Sequence, residues 1–247
     1  MNFRRITASI ISGLVPNRAL RTRVRLYLRH PHARQYVRFV RNWANGNVRE
    51  MRLLFGVGGR NLIIVLNREH VFKFSLYDDG RAQSVREKRI VDAMMNVSPI
   101  PIPPVDLIEF NNVVVRHYPF FSGRLIGDFS RAQIAKHRDK LARTLANFIY
   151  VVGASDVPEI QDLKPVMDAK PGFLYGWFHN DIARNFMMDD DMNITGFIDW
   201  ENTAFCDFKI KLANTDKHWN EDCAHGLVVD VLSYYAQKYI SNNCDCK

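Results

Sequence analysis

The stretch from Met51 to Ser75 limits this chain more than any other. It reads MRLLF, GVGGRN, LIIVL, NREH and VFKFS in succession. Apolar runs of strand length alternate with a glycine-rich break and a short polar one. Runs rich in Val, Ile, Leu and Phe, bounded by Gly and Asn, read as strands, and breaks this short join antiparallel neighbours. The pattern predicts a strand, Gly-rich turn, strand, tight turn, strand meander, and a sheet of that kind must bury a face against another layer.

The rest of the chain reads mainly as helix. A helix is expected from about Arg81 to Met95, then a loop marked by Pro99, Pro101, Pro103 and Pro104, then one more strand in NNVVVRHY. After Gly123, with Ser130 as a cap, Ile134, His137, Leu141, Leu145, Phe148 and Ile149 fall on one helical face. A last periodic segment runs from about Glu221 to Ile240, with Leu227, Val228, Val231, Leu232, Tyr235, Ala236 and Tyr239 as its core stripe. Strands with one helix, followed mostly by helices, predict an α+β architecture of two lobes, which 247 residues can accommodate.

Charge is unevenly placed. The net charge is +8, and residues 1–49 hold eleven Arg and no acid. Two basic amphipathic helical stretches are expected from about Arg18 to Trp43, broken at Pro31. Leu20, Val24, Leu26 and Leu28 interleave with arginines in the first, and Tyr36, Val37, Phe39 and Val40 in the second. Such a block suits an anionic partner, of which a membrane surface is one. It equally suits a helix whose apolar side docks on the protein, or an organelle transit peptide. No run approaches the length of a transmembrane helix. The four cysteines form no CxxC pair and read as free thiols of a reducing compartment. Nucleic acid ranks last among partners, because no zinc-finger or RNP signature is present.

The segment WFHNDIARNFMMDDDMNITGFIDWENTAF, from Trp177 to Phe205, carries the chemistry. HNDIARNFMM and GFIDWENTAF resemble the catalytic and metal-binding segments of the aminoglycoside phosphotransferase and choline kinase group, which shares the protein-kinase-like fold. The resemblance runs from about Leu53 to Phe208. It implies a bilobal α+β protein-kinase-like fold, with a small antiparallel N-lobe that binds nucleotide over 50–118 and a mainly helical C-lobe over 119–247; the charge block adds a basic helical N-terminal extension over 1–49. It implies an ATP-dependent phosphotransferase, using Mg2+, that acts on a hydroxyl of a small molecule or saccharide. A membrane-associated or envelope glycan is one such acceptor, and the expected location is cytoplasmic, at the cytoplasmic face of a membrane if the extension binds lipid.

By resemblance, Asp181 is the carboxylate that orients the acceptor hydroxyl and takes its proton, while Asn185 and Asp199 hold the metal. His179 is expected to brace the loop, Glu201 to be structural, and Asp189, Asp190 and Asp191 to form a solvated turn. The interval from Asp181 to Asn185 is one residue shorter than the family pattern, which leaves open whether Asn185 reaches the metal. Lys73, on the third strand, is the implied phosphate contact. Glu87 shares a helical face with Ile90, Val91 and Met94, where a buried charge needs a partner. Lys73 is the expected one, and a capping box with Ser84 is the competing reading. Gly56, Gly58 and Gly59 would let backbone N–H groups approach phosphate. Arg116, His117 and Tyr118 occupy the linker position, where backbone groups pair with the nucleotide base. Two other readings remain open: a catalytically inactive kinase-like module and a protein kinase.

Overall fold

A computed structural model of the chain describes residues 12–55, 60–77, 80–166, 174–182, 184–213, 215 and 226–244. It divides into two compact units. One comprises 1–84 and 106–120, the other 85–105 and 121–247. No helix among the described residues is long and apolar enough to cross a membrane.

The first unit is built on a five-stranded antiparallel sheet of described residues, in the order β1-β2-β3-β5-β4. The strands are β1 (Met51–Phe55), β2 (Asn61–Leu66), β3 (His70–Ser75), β4 (Asp106–Phe110) and β5 (Val113–Pro119). The expected meander is present as β1 to β3. Its tight turn, Asn67 to Glu69 between the paired Leu66 and His70, places Asn67 and Arg68 at positive φ. β4 is an addition to the sequence reading. Asn111 and Asn112, read there as the start of a strand, both have positive φ and form the β4–β5 turn.

Register separates the two faces of this sheet. Ile63, Lys73 and Arg116 lie directly opposite one another, as do Ile64, Phe72 and His117, so these sets occupy opposite faces. The second face is covered by α1 (Arg18–Arg29) and α2 (Ala33–Trp43). Leu26, Ala33, Tyr36 and Val40 form one core with Leu62, Ile64, Leu66, Phe72 and Phe74. Tyr36 stacks on Phe74 with ring centroids 4.5 Å apart, and Trp43 meets Phe72 edge-on at 5.0 Å. The break near Pro31 is present, and Asn17 caps α1 by accepting from the Leu20 N–H at 3.0 Å. The expected stripe of α1 is divided: Leu26 is fully buried, whereas Leu20 and Leu28 are 52% and 38% exposed. Helical spacing explains this, since positions 20, 24 and 28 share a face that position 26 does not.

Helix α3 (Gly80–Met94) begins in the first unit and continues in the second. The second unit packs α5 (Arg138–Ala154) against α6 (Leu227–Cys244), after the short helix α4 (Arg131–Lys136). Ser130 caps α4 as expected, and the helical run is broken at His137. Leu141, Leu145, Phe148, Ile149, Leu227, Val231 and Tyr235 are buried, while Ala236 and Tyr239 at the end of the expected α6 stripe are exposed. The small strands are β6 (Arg124–Leu125), β7 (Tyr175–Phe178), β8 (Phe186–Met188), β9 (Ile194–Phe197) and β10 (Ala204–Asp207). Among the described residues they form two ladders, β7 with β10 and β6-β8-β9. Gly176 lets β7 lie directly on α5: a Cβ there would stand 2.6 Å from the Gly153 carbonyl oxygen.

Candidate active site

The two ladders of the second unit position the site. β8 and β9 pair Phe186 with Phe197, and the ladder continues as the Ile198 N–H donates to the Asn185 carbonyl at 2.8 Å. Asn185 is therefore set beside the residue that precedes Asp199. β7 and β10 pair Phe178 with Ala204. Continuing that register brings Asn202 alongside Asn180, and the Asn180 Nδ2 donates to the Asn202 carbonyl at 2.7 Å. The loop from His179 to Asn185 is thus fixed at both ends to the segment 198–204. The tighter loop is absorbed between two ladders and leaves Asn185 in hairpin register.

Within that loop, the His179 carbonyl accepts from the Ile182 N–H at 3.0 Å. The His179 ring is buried and lies 3.0 Å, through Nε2, from the Ile198 carbonyl oxygen. Trp200 meets it edge-on at 5.0 Å. Burial pushes the imidazole pKa below its ordinary value, against the hydrogen bond to Ile198 and the negative charges of Asp199 and Asp181. A neutral ring that donates from Nε2 has the geometry of a brace, and its Nδ1 has no partner among the described residues.

Asp181 is exposed, and its Oδ2 accepts from the Asn202 Nδ2. Asp199 is half-buried in the left-handed conformation, with φ 63° and ψ 62°, and opens a single turn of 3-10 helix over Trp200–Asn202. Non-glycine residues take that conformation sparingly, Asp and Asn most readily. The turn aims two backbone features at α3: the Trp200 N–H donates to Glu87 Oε1 at 3.2 Å, and Arg86 Nη1 donates to the Glu201 carbonyl at 2.7 Å. Arg86 Nη2 also reaches the Thr203 carbonyl. Glu87 is fully buried. One carboxylate oxygen each from Glu87, Asp199 and Glu201 lies within 4.8 Å of the others. Carboxylate oxygens are the donors that hard divalent cations such as Mg2+ take.

The Asp triplet is a hairpin turn, as expected. Asp189 accepts from Asn193 through both carboxylate oxygens, at 2.8 and 2.7 Å, and Asp190 is highly exposed beside Arg124. The capping box of Ser84 and Glu87 is not formed: Ser84 lies inside α3 and donates to the Gly80 carbonyl at 2.6 Å. Asp92 is exposed and pairs with Lys88 at 3.0 Å.

The remaining expected residues belong to the first unit. Lys73 and Arg116 are buried opposite one another on the sheet face that α1 and α2 leave uncovered, and Arg116 Nη2 donates to Asn61 Oδ1 at 3.0 Å. His117 faces the helix-covered side, 5.3 Å from Trp43 and stacked on Phe72 at 4.9 Å. Burial and the neighbouring His70 lower its pKa, and Asp106 opposes them. Arg116 and His117 pair with β3 on one side and β4 on the other, so their backbone belongs to the ladder. The β4 pairing ends at His117, one residue before Tyr118. Gly56, Gly58 and Gly59 lie outside the described residues. Sequence reasoning missed Asn202, and it gave Glu201 no place beside Asp199. Both placements follow from the β7–β10 register and the turn after Asp199, and no local spacing announces either.

No protein-family model matches the chain, and no curated protein matches it. Solved structures do. The gentamicin complex of APH(2")-IIa matches with a TM-score of 0.65 at 16% identity, over 83% of this chain and 81% of that one. The GDP complex of wild-type aminoglycoside 2'-phosphotransferase-IIIa matches with 0.64 at 16%, over 82% of each chain. Macrolide 2'-phosphotransferase MphH from Brachybacterium faecium gives 0.55 at 15%, over 81% and 82%. The chain has the protein-kinase-like fold. That agrees with the α+β organisation expected from the sequence and with the phosphotransferase resemblance of the Trp177–Phe205 segment.

Proposed function

We propose that this protein is an ATP-dependent phosphotransferase that moves the γ-phosphoryl group to a hydroxyl of a small molecule or saccharide. The observation that supports the reading is that two ladders hold the ends of the 179–185 loop against the segment 198–204, which carries Asp199, despite the shortened loop. Phosphoryl transfer asks a protein mainly for positioning and charge stabilisation. An exposed carboxylate on a fixed loop is suited to orient an acceptor hydroxyl and receive its proton. Asn185 and Asp199 would hold Mg2+, with Glu201 beside them; the ion would neutralise triphosphate charge. By the resemblance, Lys73 and the glycines at 56, 58 and 59 would contact nucleotide phosphate. Neighbours of this fold were solved with GDP, ADP and gentamicin, which favours a hydroxyl-bearing small molecule over a protein as acceptor.

Incubation of the full chain with labelled MgATP and a panel of aminoglycosides, macrolides, amino alcohols and saccharides tests this. The expected result is a phosphomonoester product from at least one acceptor. Nucleotide binding without any turnover would instead mean an inactive kinase-like module.

A second observation favours a protein peripheral to an anionic membrane surface, for which the cytoplasmic face is the expected side. The exposed leucines of α1, Leu20 and Leu28, lie on a helix whose Arg25 is also exposed, and Arg34, Arg38 and Arg41 are exposed along α2. Leucines among arginines suit an anionic lipid surface. Sedimentation with phosphatidylglycerol vesicles should pull the chain down at low salt and release it at high salt. Equal binding to phosphatidylcholine vesicles would contradict this.

A further inference from the structure

We propose that Asn202 is a positioning residue for Asp181, selecting which carboxylate oxygen receives the acceptor proton. The inference rests on the phosphotransferase reading above. Asp181 is exposed on a loop, so its carboxylate would otherwise turn about its side-chain bonds. The Asn202 Nδ2 donates to Oδ2, which leaves Oδ1 as the acceptor of a substrate proton. Hydrogen bonds to charged groups are the stronger and more directional ones.

Asn202 is itself fixed from several sides. Its carbonyl accepts from Asn180 Nδ2 at 2.7 Å, and the Asn180 Oδ1 lies 3.8 Å from the Cys206 Sγ, which donates to it. The carbonyl of the preceding Glu201 is held by Arg86 Nη1 at 2.7 Å. A half-buried guanidinium on α3 and an amide on the β7 loop therefore set the donor that sets the base. The step balances simply: the acceptor oxygen bonds to the γ-phosphorus as the bridge to the β-phosphate breaks, ADP leaves with that electron pair, and the hydroxyl proton passes to Asp181 Oδ1.

The test uses the full chain, MgATP and whichever acceptor turns over, or water if only hydrolysis is seen. Asn202→Ala should lower kcat roughly tenfold to a hundredfold, the range of one hydrogen bond to a charged group, with the nucleotide KM unchanged. Asn202→Asp keeps the volume but replaces the donor with an acceptor, so it should lose at least as much. It also covers the case in which the alanine variant fails to fold. On an Asp181→Asn background, adding Asn202→Ala should cost nothing further, because residues acting through one another are not additive. An unchanged kcat in Asn202→Asp, a full loss retained on the Asp181→Asn background, or a parallel rise of KM would overturn the proposal. A chain that never turns nucleotide over would remove the phosphotransferase reading and this inference with it.

Discussion

Helix α2 and the loop from His179 to Asn185 both set charged side chains among apolar ones, yet packing gives them opposite tasks. In α2 the apolar side is spent: Ala33, Tyr36 and Val40 are buried on the sheet, and the arginines at 34, 38 and 41 face solvent. In the loop the backbone is held by two ladders, His179 is buried beneath it, and Asp181 is left exposed with Asn202 donating to Oδ2. The difference teaches that charge beside apolar residues marks a cover when the apolar face is continuous over a helix. It marks a candidate site when short strands pin the backbone and leave a carboxylate outside.

The comparison can be broken at its buried side first. Tyr36→Ala removes a ring stacked on Phe74 and should cost about 3–5 kcal/mol, the range of large aromatic truncations in a core. Urea unfolding of the first unit would show it, and a loss below about 1 kcal/mol would mean that α2 is not part of that core.

The brace beneath the loop predicts a pH dependence. Burial lowers the pKa of His179 in the folded chain, so near and below its ordinary value of about 6.5 the unfolded chain binds the extra proton. Stability is then full above about pH 6.5 and falls as pH drops toward the depressed folded value, by at most about 1.4 kcal/mol per pH unit. His179→Gln should flatten that slope between pH 7.5 and 5.5 in urea melts. The smallest effect belongs to the exposed leucines: Leu28→Ser should change stability by no more than about 0.5 kcal/mol while weakening vesicle binding.

Legibility followed the range of the pattern. Strands β1 to β3, the helices and the Asp189 turn were readable because each is fixed by residues a few positions apart. β4 was not, because Asp106, Leu107, Ile108, Glu109 and Phe110 follow a proline loop and its turn is the Asn111–Asn112 pair read as strand. The docking of α1 and α2 is not legible in the sequence, because their arginines are equally consistent with lipid, and only the sheet's register shows which residues wait beneath them. Asp181, Asn185 and Asp199 stand out through the motif they share. Asn202 was invisible, since it meets Asp181 through the pairing of β7 with β10, strands separated by the whole β8–β9 hairpin. Arg116 and His117 pair with both β3 and β4, a long-range pairing that the residues around them do not announce.

The most direct measurement compares wild type with Asp181→Asn for both nucleotide binding and phosphoryl transfer under MgATP. The account predicts equal nucleotide affinity and a transfer rate lower by about 10²–10⁴-fold, the usual share of a positioned base. Transfer at the wild-type rate by the variant would contradict it, because the chemistry would then lie elsewhere in the chain.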